Sequence, residues 1–276
     1  MYDINAVIVN WKAKNDMEKC LDTLFNDIHG SGINLIVRVI DNSVNVDGVK
    51  EMLRKKFPQV IYHNPGGNIG FGKGQNLGFS FAEAKYYMPL NYDIVFKQGT
   101  NTIKFLYDYL EKNEKVGMVA PRLLNIDGSI QNSCCRFPGF FDQIARRLKL
   151  DEKINYFKKR VDHYLMREFD HMRTIKIDWM IGSMTLVRAE MAKQIGFYDE
   201  RYFMYFEDCD WCRRAWQNDW EVIYYADVEV IHEHKRDSAE MNPFIAIFNN
   251  QIARWHIQSW LKYFIKWKFK NVHFGE

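Results

Sequence analysis

The sequence predicts an α/β protein: a mostly parallel sheet with helices on both faces, a helical insertion, and an amphipathic helix near the C-terminal end. Three observations carry this prediction. Short β-branched runs alternate with segments of helical spacing through the first half of the chain. A charged stretch of helical spacing without a strand pattern fills residues 137–176, and a long helical period returns over residues 243–270. With 276 residues and 47% hydrophobic content, the chain can bury the core of one large domain. We expect an α/β domain over residues 1–240 and a helical extension over 241–276.

Taken in order, INAVIVNW reads as a buried strand, DMEKCLDTLFNDI as a helix capped by Asp16, NLIVRVIDN as a second strand and DGVKEMLRKKF as a second helix. VIYHN continues as a third strand. The glycine-rich NPGGNIGFGKGQN leads into a helix near NLGFSFAEA, and YYMPLNYD is a strand with a polar end. A β-α-β-α order of this kind puts the ligand crevice beyond the carboxyl ends of the strands. Those ends carry Asn10, Trp11, Asp41, Asn42, Asn91 and Asp93. After the helical flap, IDWMIGSMTLVRAEMAKQIGFYDE reads as a strand into a short helix, and EVIYYADVEVIHEH as one or two further strands.

Composition removes several classes of function. The net charge of +3 argues neither for nor against nucleic acid, so a basic partner surface has to be local, and no recognition module for nucleic acid is visible. Five cysteines, an odd number with two adjacent, make a poor disulfide framework and fit a reducing compartment. The N-terminal stretch lacks a signal-peptide pattern, and no segment reaches the roughly 18–20 apolar residues of a spanning helix. A cytoplasmic protein is the expectation.

Individual residues suggest chemistry. Asp41 and Asn42 suit either a turn or recognition of a ribose or base; Gly66, Gly67, Gly70, Gly72 and Gly74 could cradle a diphosphate, although the spacing is not that of a P-loop. Asp93, at the end of LNYD, offers the hard oxygen that a divalent cation prefers. In FMYFEDCDWCRR, Glu207, Asp208 and Asp210 lie among aromatic side chains. Partial desolvation there raises a carboxyl pKa toward that of a general base, whereas the plainer reading is an acidic helix start paired to Arg213 and Arg214. His232 and His234 point the same way on a strand and suit hydrogen bonding or ligation; Cys209 and Cys212 read as structural thiols.

The stretches VIVNW, IDNS, GNIGFGKGQNLGF, LNYD, WMIGSMTLVR, GFYDERYFMYFEDCDWCRR and VIHEH occur in that order over residues 4–238. Together they resemble family 2 glycosyltransferases, especially the bacterial rhamnosyltransferase-like branch. The resemblance implies a GT-A fold and transfer of a sugar from a nucleoside diphosphate with inversion at the anomeric carbon. By position it assigns Asn10, Trp11 and Asp41, with Asn42 and Gly70 beside them, to the nucleotide. It assigns Asp93 and His232 to a divalent metal, Mg or Mn, and Asp208 to the catalytic base. Asn91, Trp179, Gly182, Ser183 and Glu207 fall to the donor and acceptor pocket. LNYD departs from the family's more usual LNPD or two-acid motif.

The implied donor is dTDP-rhamnose, with UDP-galactofuranose, UDP-glucose and UDP-N-acetylglucosamine left open, and the implied acceptor is a hydroxyl of a glycan or lipid-linked saccharide in cell-surface polysaccharide synthesis. A GT-A-like protein that binds a nucleotide sugar or a partner without catalysis is the alternative. The segment RWHIQSWLKYFIKWKFK, residues 254–270, combines aromatics and lysines with no acid. It suits peripheral contact with the inner face of the cell membrane, or packing on the main domain or a second subunit of a homo-oligomer.

Overall fold

The computed structural model describes residues 1–233, 250–270 and 272–275. Its centre is a nine-stranded sheet in the order β3-β2-β1-β4-β10-β6-β11-β5, with β8 also paired to β11. The strands are β1 (Tyr2–Asn10), β2 (Leu35–Asp41), β3 (Ile61–His63), β4 (Ala84–Leu90), β5 (Ile94–Phe96), β6 (Val116–Leu124), β8 (Ile175–Lys176), β10 (Leu186–Arg188) and β11 (Glu221–His232). A separate two-stranded ribbon joins β7 (Cys134–Cys135) to β9 (Trp179–Met180). Strands β1 to β4 run parallel, whereas β10 is antiparallel to both β4 and β6. The chain leaves β1 for β2 on one side and returns to β4 on the other. The end of β1 is therefore the switch point at which such sheets form a ligand crevice.

Period-two alternation in β1 explains the two layers. Ile4, Ala6 and Ile8 face one core, which is completed by Met17, Leu21 and Leu24 of α1 (Lys14–Ile28), Leu53 of α2 (Val49–Lys56), and Ile103, Leu106 and Leu110 of α4 (Thr102–Lys112). Val7 and Val9 face the other, under α3 (Phe71–Ser80), α8 (Ala189–Ile195) and α9 (Glu207–Trp216). Each aliphatic side chain so buried contributes about 1.5–3 kcal/mol. Asn5, buried on the same face as Val7, donates to the carbonyls of Phe79 and Ala82 and ties the end of α3 to the sheet.

Much of the glycine-rich run serves packing. A Cβ on Gly74 would stand 2.9 Å from a methyl of Val9, and one on Gly78 2.4 Å from a methyl of Val7, so α3 lies on β1 at a distance only glycine permits. Helix α1 starts at Lys14 with Ala13 before it, which places Asp16 in its first turn and not at the expected cap.

The flap contains α5 (Phe140–Arg147), α6 (Leu150–Lys153) and α7 (Asn155–Tyr164), which enclose a small core of Cys135, Ala145, Val161, Tyr164 and Leu165 against Trp179. A final helix, α10 (Gln251–Lys266), is capped by the Asn250 side chain. Its aromatic face does not point to solvent: Tyr263 and Phe264 are buried against the second core, and Ser259 donates to the Met204 carbonyl. Packing on the main domain is thus the outcome for that face. Beyond it, Asp178 gathers the N–H groups of Phe137, Phe274 and Gly275 and the imidazole of His273. The expected boundary at 240/241 and His234 lie outside the described residues. No described helix is long and apolar enough to cross a membrane.

Candidate functional site

Three groups of polar side chains meet at the carboxyl ends of β1, β2 and β4. At the first, Asp41 accepts from Asn10 Nδ2 (2.9 Å), Ser43 N (3.0 Å), Ser43 Oγ (2.6 Å), Asn45 N (2.6 Å) and Tyr62 Oη (2.8 Å). Burial opposes ionisation, but these donors outweigh it and hold the carboxyl below its ordinary value. Asn10 and Asp41 are fully buried, so they shape the wall of the crevice; direct contact with a ligand would require displacing one of these bonds. Trp11, expected beside them, is exposed, with Lys12 Nζ 5.1 Å from its ring centroid. Sequence reading missed Ser43 and Tyr62, although Tyr62 sits on the neighbouring parallel strand in register with Val39.

The second group is built on a glycine that cannot be replaced cheaply. Gly70 adopts φ +90°, and a Cβ there would lie 2.5 Å from the carbonyl oxygen of Phe203. Its own carbonyl accepts from Asn42 Nδ2 at 3.0 Å, and Phe71 N donates to Phe203 O at 2.9 Å. The loop before α3 is thereby fixed to the loop before α9. Residues Tyr205 and Phe206, both at positive φ, then turn the chain into α9, whose first two residues are Glu207 and Asp208.

Asp208 is partly exposed. Its Oδ2 accepts from Gly182 N at 3.0 Å and its Oδ1 from Cys209 N at 2.7 Å. Enclosure raises its pKa, and the two N–H bonds oppose the rise. Burial first, then the adjacent Asp208 charge, push Glu207 well above the glutamate range, and its buried Oε2 has no hydrogen-bond partner. Both shifts are upward, and that of Glu207 is the larger, because Asp208 alone has two N–H donors that favour its charged form. Behind Asp208, a cavity of about 10 Å³ between Tyr198, Thr185 and Trp211 holds at most one water.

Asp210 belongs to the fold. Fully buried, it pairs with Arg214 (2.9 Å) and Lys266 (2.7 Å) and accepts from Trp267 Nε1 (3.0 Å). The expected arginine pairing therefore holds for Arg214 alone. Arg213 instead sits over the Phe137, Tyr263 and Trp267 rings at 5.5, 5.7 and 4.6 Å and donates to Tyr263 Oη and the Lys270 carbonyl.

The third group lies at the end of β4. Asn91 N donates to Ser183 O at 2.7 Å, which joins this strand end to the Gly182–Asp208 contact. Two residues on, Asp93 Oδ1 is buried, accepts no hydrogen bond, and faces His232 Nε2 at 3.4 Å. His232 Nδ1 lies 2.7 Å from Gln131 Oε1, which orients the ring so that Nε2 faces Asp93. A carboxylate oxygen and an imidazole nitrogen are ligand types that a divalent cation takes. Among the described residues no cluster of three or more potential metal ligands occurs. Gln131, 101 residues before His232 in the chain, left no signal in the sequence.

Trp179 faces the flap: its Nε1 donates to the Arg136 carbonyl and its ring stacks near Tyr164. Cys209 and Cys212 are buried free thiols, as are the other three cysteines.

Comparison with known proteins identifies relatives of the chain and of its fold. An N-acetylglucosaminyl-diphospho-decaprenol L-rhamnosyltransferase of Mycobacterium tuberculosis is 27% identical over 220 residues, covering 75% of this chain and 69% of the relative. A low-salt glycan biosynthesis hexosyltransferase of Haloferax volcanii is 25% identical over 253 residues, covering 89% of this chain and 72% of its own. Among solved structures, a Pyrobaculum calidifontis mannosyltransferase in complex with GDP-Man and Mn²⁺ superposes with a TM-score of 0.62 at 12% identity, over 99% of this chain and 68% of that one. That likeness concerns the fold, which is GT-A, and the chain spans as little as 40% of other solved chains it resembles. The model of the glycosyltransferase-like family 2 matches residues 3–257, and the chain belongs to that family of glycosyltransferases.

Proposed function

We propose that the protein is an inverting glycosyltransferase that moves L-rhamnose from dTDP-rhamnose to a hydroxyl of a glycan or lipid-linked acceptor in cell-surface polysaccharide synthesis. The observation that carries the reading is the Glu207–Asp208 pair, one carboxyl enclosed and pushed upward by burial, the other held by two backbone N–H groups on the crevice side. In this reading Asp208 takes the proton from the acceptor hydroxyl as its oxygen attacks the anomeric carbon, and the nucleoside diphosphate departs from the opposite face. The name of the mycobacterial relative favours rhamnose as the sugar and a polyprenyl-linked acceptor. UDP-sugars are the competing donors.

Trp11 offers its exposed ring to the base, while Asn10, Asp41 and Asn42 hold the surrounding wall and Gly70 the loop that approaches the phosphates. Asp93 and His232 are the residues to hold a divalent cation, Mg or Mn, with Asn91, Gly182 and Ser183 lining the same strand end. Such a cation, when bound, neutralises the leaving diphosphate. Trp179 stands between this pocket and the flap.

The experiment is a thermal-shift panel of nucleotide sugars with and without Mn²⁺, followed by a transfer assay of Asp208→Asn. Metal-dependent stabilisation by dTDP-rhamnose, with donor binding retained and transfer reduced about 10²–10⁴-fold in the variant, is the expected result. Preference for a UDP-sugar replaces the donor. Unchanged transfer by Asp208→Asn removes the base assignment, and no response to any nucleotide favours a non-catalytic protein.

A further inference from the structure

The outward side of α10 and its neighbour α5 form a surface unlike the rest of the molecule. Tyr263 and Phe264 are committed to the interior, yet Leu261, Ile265 and Phe269 remain 44%, 67% and 58% exposed. Leu261 and Ile265 stand four residues apart on α10, the helical spacing that lines side chains along one side, and Phe269 lies beyond the helix end, in a turn where Lys268 and Phe269 take positive φ. Phe140 of α5 packs on Trp260, Phe264 and Phe269, which brings the adjacent Phe141, 59% exposed, to the same end. His256 is held below its ordinary pKa by burial first and then by Arg147 and Arg146, at the other end of α5.

Between residues 250 and 270 there is no acid, while Arg254, Lys262, Lys268 and Lys270 are exposed. Lys266 is excluded from this count because Asp199 and Asp210 hold it. His256 packs on Tyr205 and Phe206, the two residues before Glu207, so this surface borders the proposed base.

We propose that this composite face, with Phe141, Leu261, Ile265 and Phe269 as its apolar contacts and Arg146, Arg254, Lys268 and Lys270 as its charges, docks the enzyme on an anionic phospholipid bilayer. The occupant follows from charge complementarity. A second protein surface would need acids matched to each cation, whereas anionic headgroups supply negative charge everywhere and accept interspersed apolar side chains between them. The aromatic half of the helix is not the membrane half; the opposite side is. The purpose of docking rests on the proposed lipid-linked acceptor, but docking itself does not depend on which sugar is moved.

The test is co-sedimentation of the full chain with phosphatidylcholine vesicles, with and without phosphatidylglycerol, alongside a nucleotide thermal shift on every variant. Wild-type protein should partition to the phosphatidylglycerol vesicles and be released by salt. Lys268→Glu should weaken partitioning at least about fivefold, as should Lys270→Glu, from roughly 1 kcal/mol per cation near the surface. Ile265→Ser should weaken partitioning to both kinds of vesicle, and none of the three should change the nucleotide response. Absence of vesicle binding by wild type overturns the proposal, as does binding indifferent to phosphatidylglycerol and to all three substitutions. Loss of a solution dimer in Ile265→Ser would overturn it in favour of a second copy of the chain. A failed nucleotide response with intact vesicle binding would instead count against the proposed transferase reading alone.

Discussion

Asp208 and Asp210 are two residues apart on one helix, and replacing each by asparagine should produce opposite phenotypes. Asp210→Asn keeps the shape but removes the charge that Arg214 and Lys266 share, at a site with no solvent access. Breaking one side of a buried ion pair costs about 3–5 kcal/mol. Each cation keeps other partners: Arg214 the carbonyls of Ile195 and Phe197 at 2.6 Å, and Lys266 the Asp199 carboxylate at 2.7 Å. The lower end of the range, about 3 kcal/mol, is therefore expected, which at about 2.1 cal/mol/K per residue over 276 residues lowers Tm by roughly 5 °C. Asp208→Asn has no such pair to break, but its single amide oxygen can accept from only one of Gly182 N and Cys209 N, which the carboxylate holds with different oxygens, so its melting should change by about 1–2 kcal/mol equivalent, less than that of Asp210→Asn. Scanning calorimetry combined with a transfer assay at 25 °C separates the two. The reasoning fails if Asp210→Asn melts with the wild type, or if Asp208→Asn loses as much stability as Asp210→Asn.

Two further outcomes follow from groups at the site and beneath it. Because Asp208 works only when deprotonated and its pKa is raised by enclosure, the acid limb of kcat/KM should lie above the ordinary aspartate value of 3.8; a limb at or below it would contradict the assignment. Glu207 is raised well above its ordinary value of 4.5, so an unfolded chain ionises it first and stability falls as pH rises beyond that point; Glu207→Gln should flatten the decline of Tm with pH, and an unchanged slope would refute it. Gly78→Ala should cost about 1–3 kcal/mol in chemical denaturation, since its methyl would sit 2.4 Å from Val7 and force α3 off the sheet; tolerance without loss would show that the helix can shift.

The strand-helix alternation was legible because each early element carries its own period, and Asn10, Asp41 and Asp93 could be placed at strand ends from spacing alone. What could not be read was which of two faces an amphipathic helix buries. The period of residues 251–266 is the same whether the aromatics meet lipid or protein, and only the complementary surface of Phe140, Phe206 and Arg213 decides it. Likewise, FEDCD offers three carboxyls with equivalent local surroundings. What tells them apart is distant in the chain: Gly182, 26 residues before Asp208, holds the proposed base, and Lys266, 56 residues after Asp210, makes Asp210 a structural anchor. The antiparallel insertion of β10 between β4 and β6 was also hidden, since a three-residue strand carries almost no periodic signal.

The clamp around Asp178 has a consequence for biosynthesis. A ribosome delivers the chain from its N-terminal end, so the layer containing β1, β2 and α1 can consolidate early. The layer that holds α9 cannot: Arg213 has no cage until Tyr263 and Trp267 have been made, and Asp178 has three of its four donors only once residues 273–275 have emerged. A nascent chain therefore carries an open, aromatic-rich flank beside Glu207 and Asp208, and a truncation before residue 255 would leave that flank uncovered.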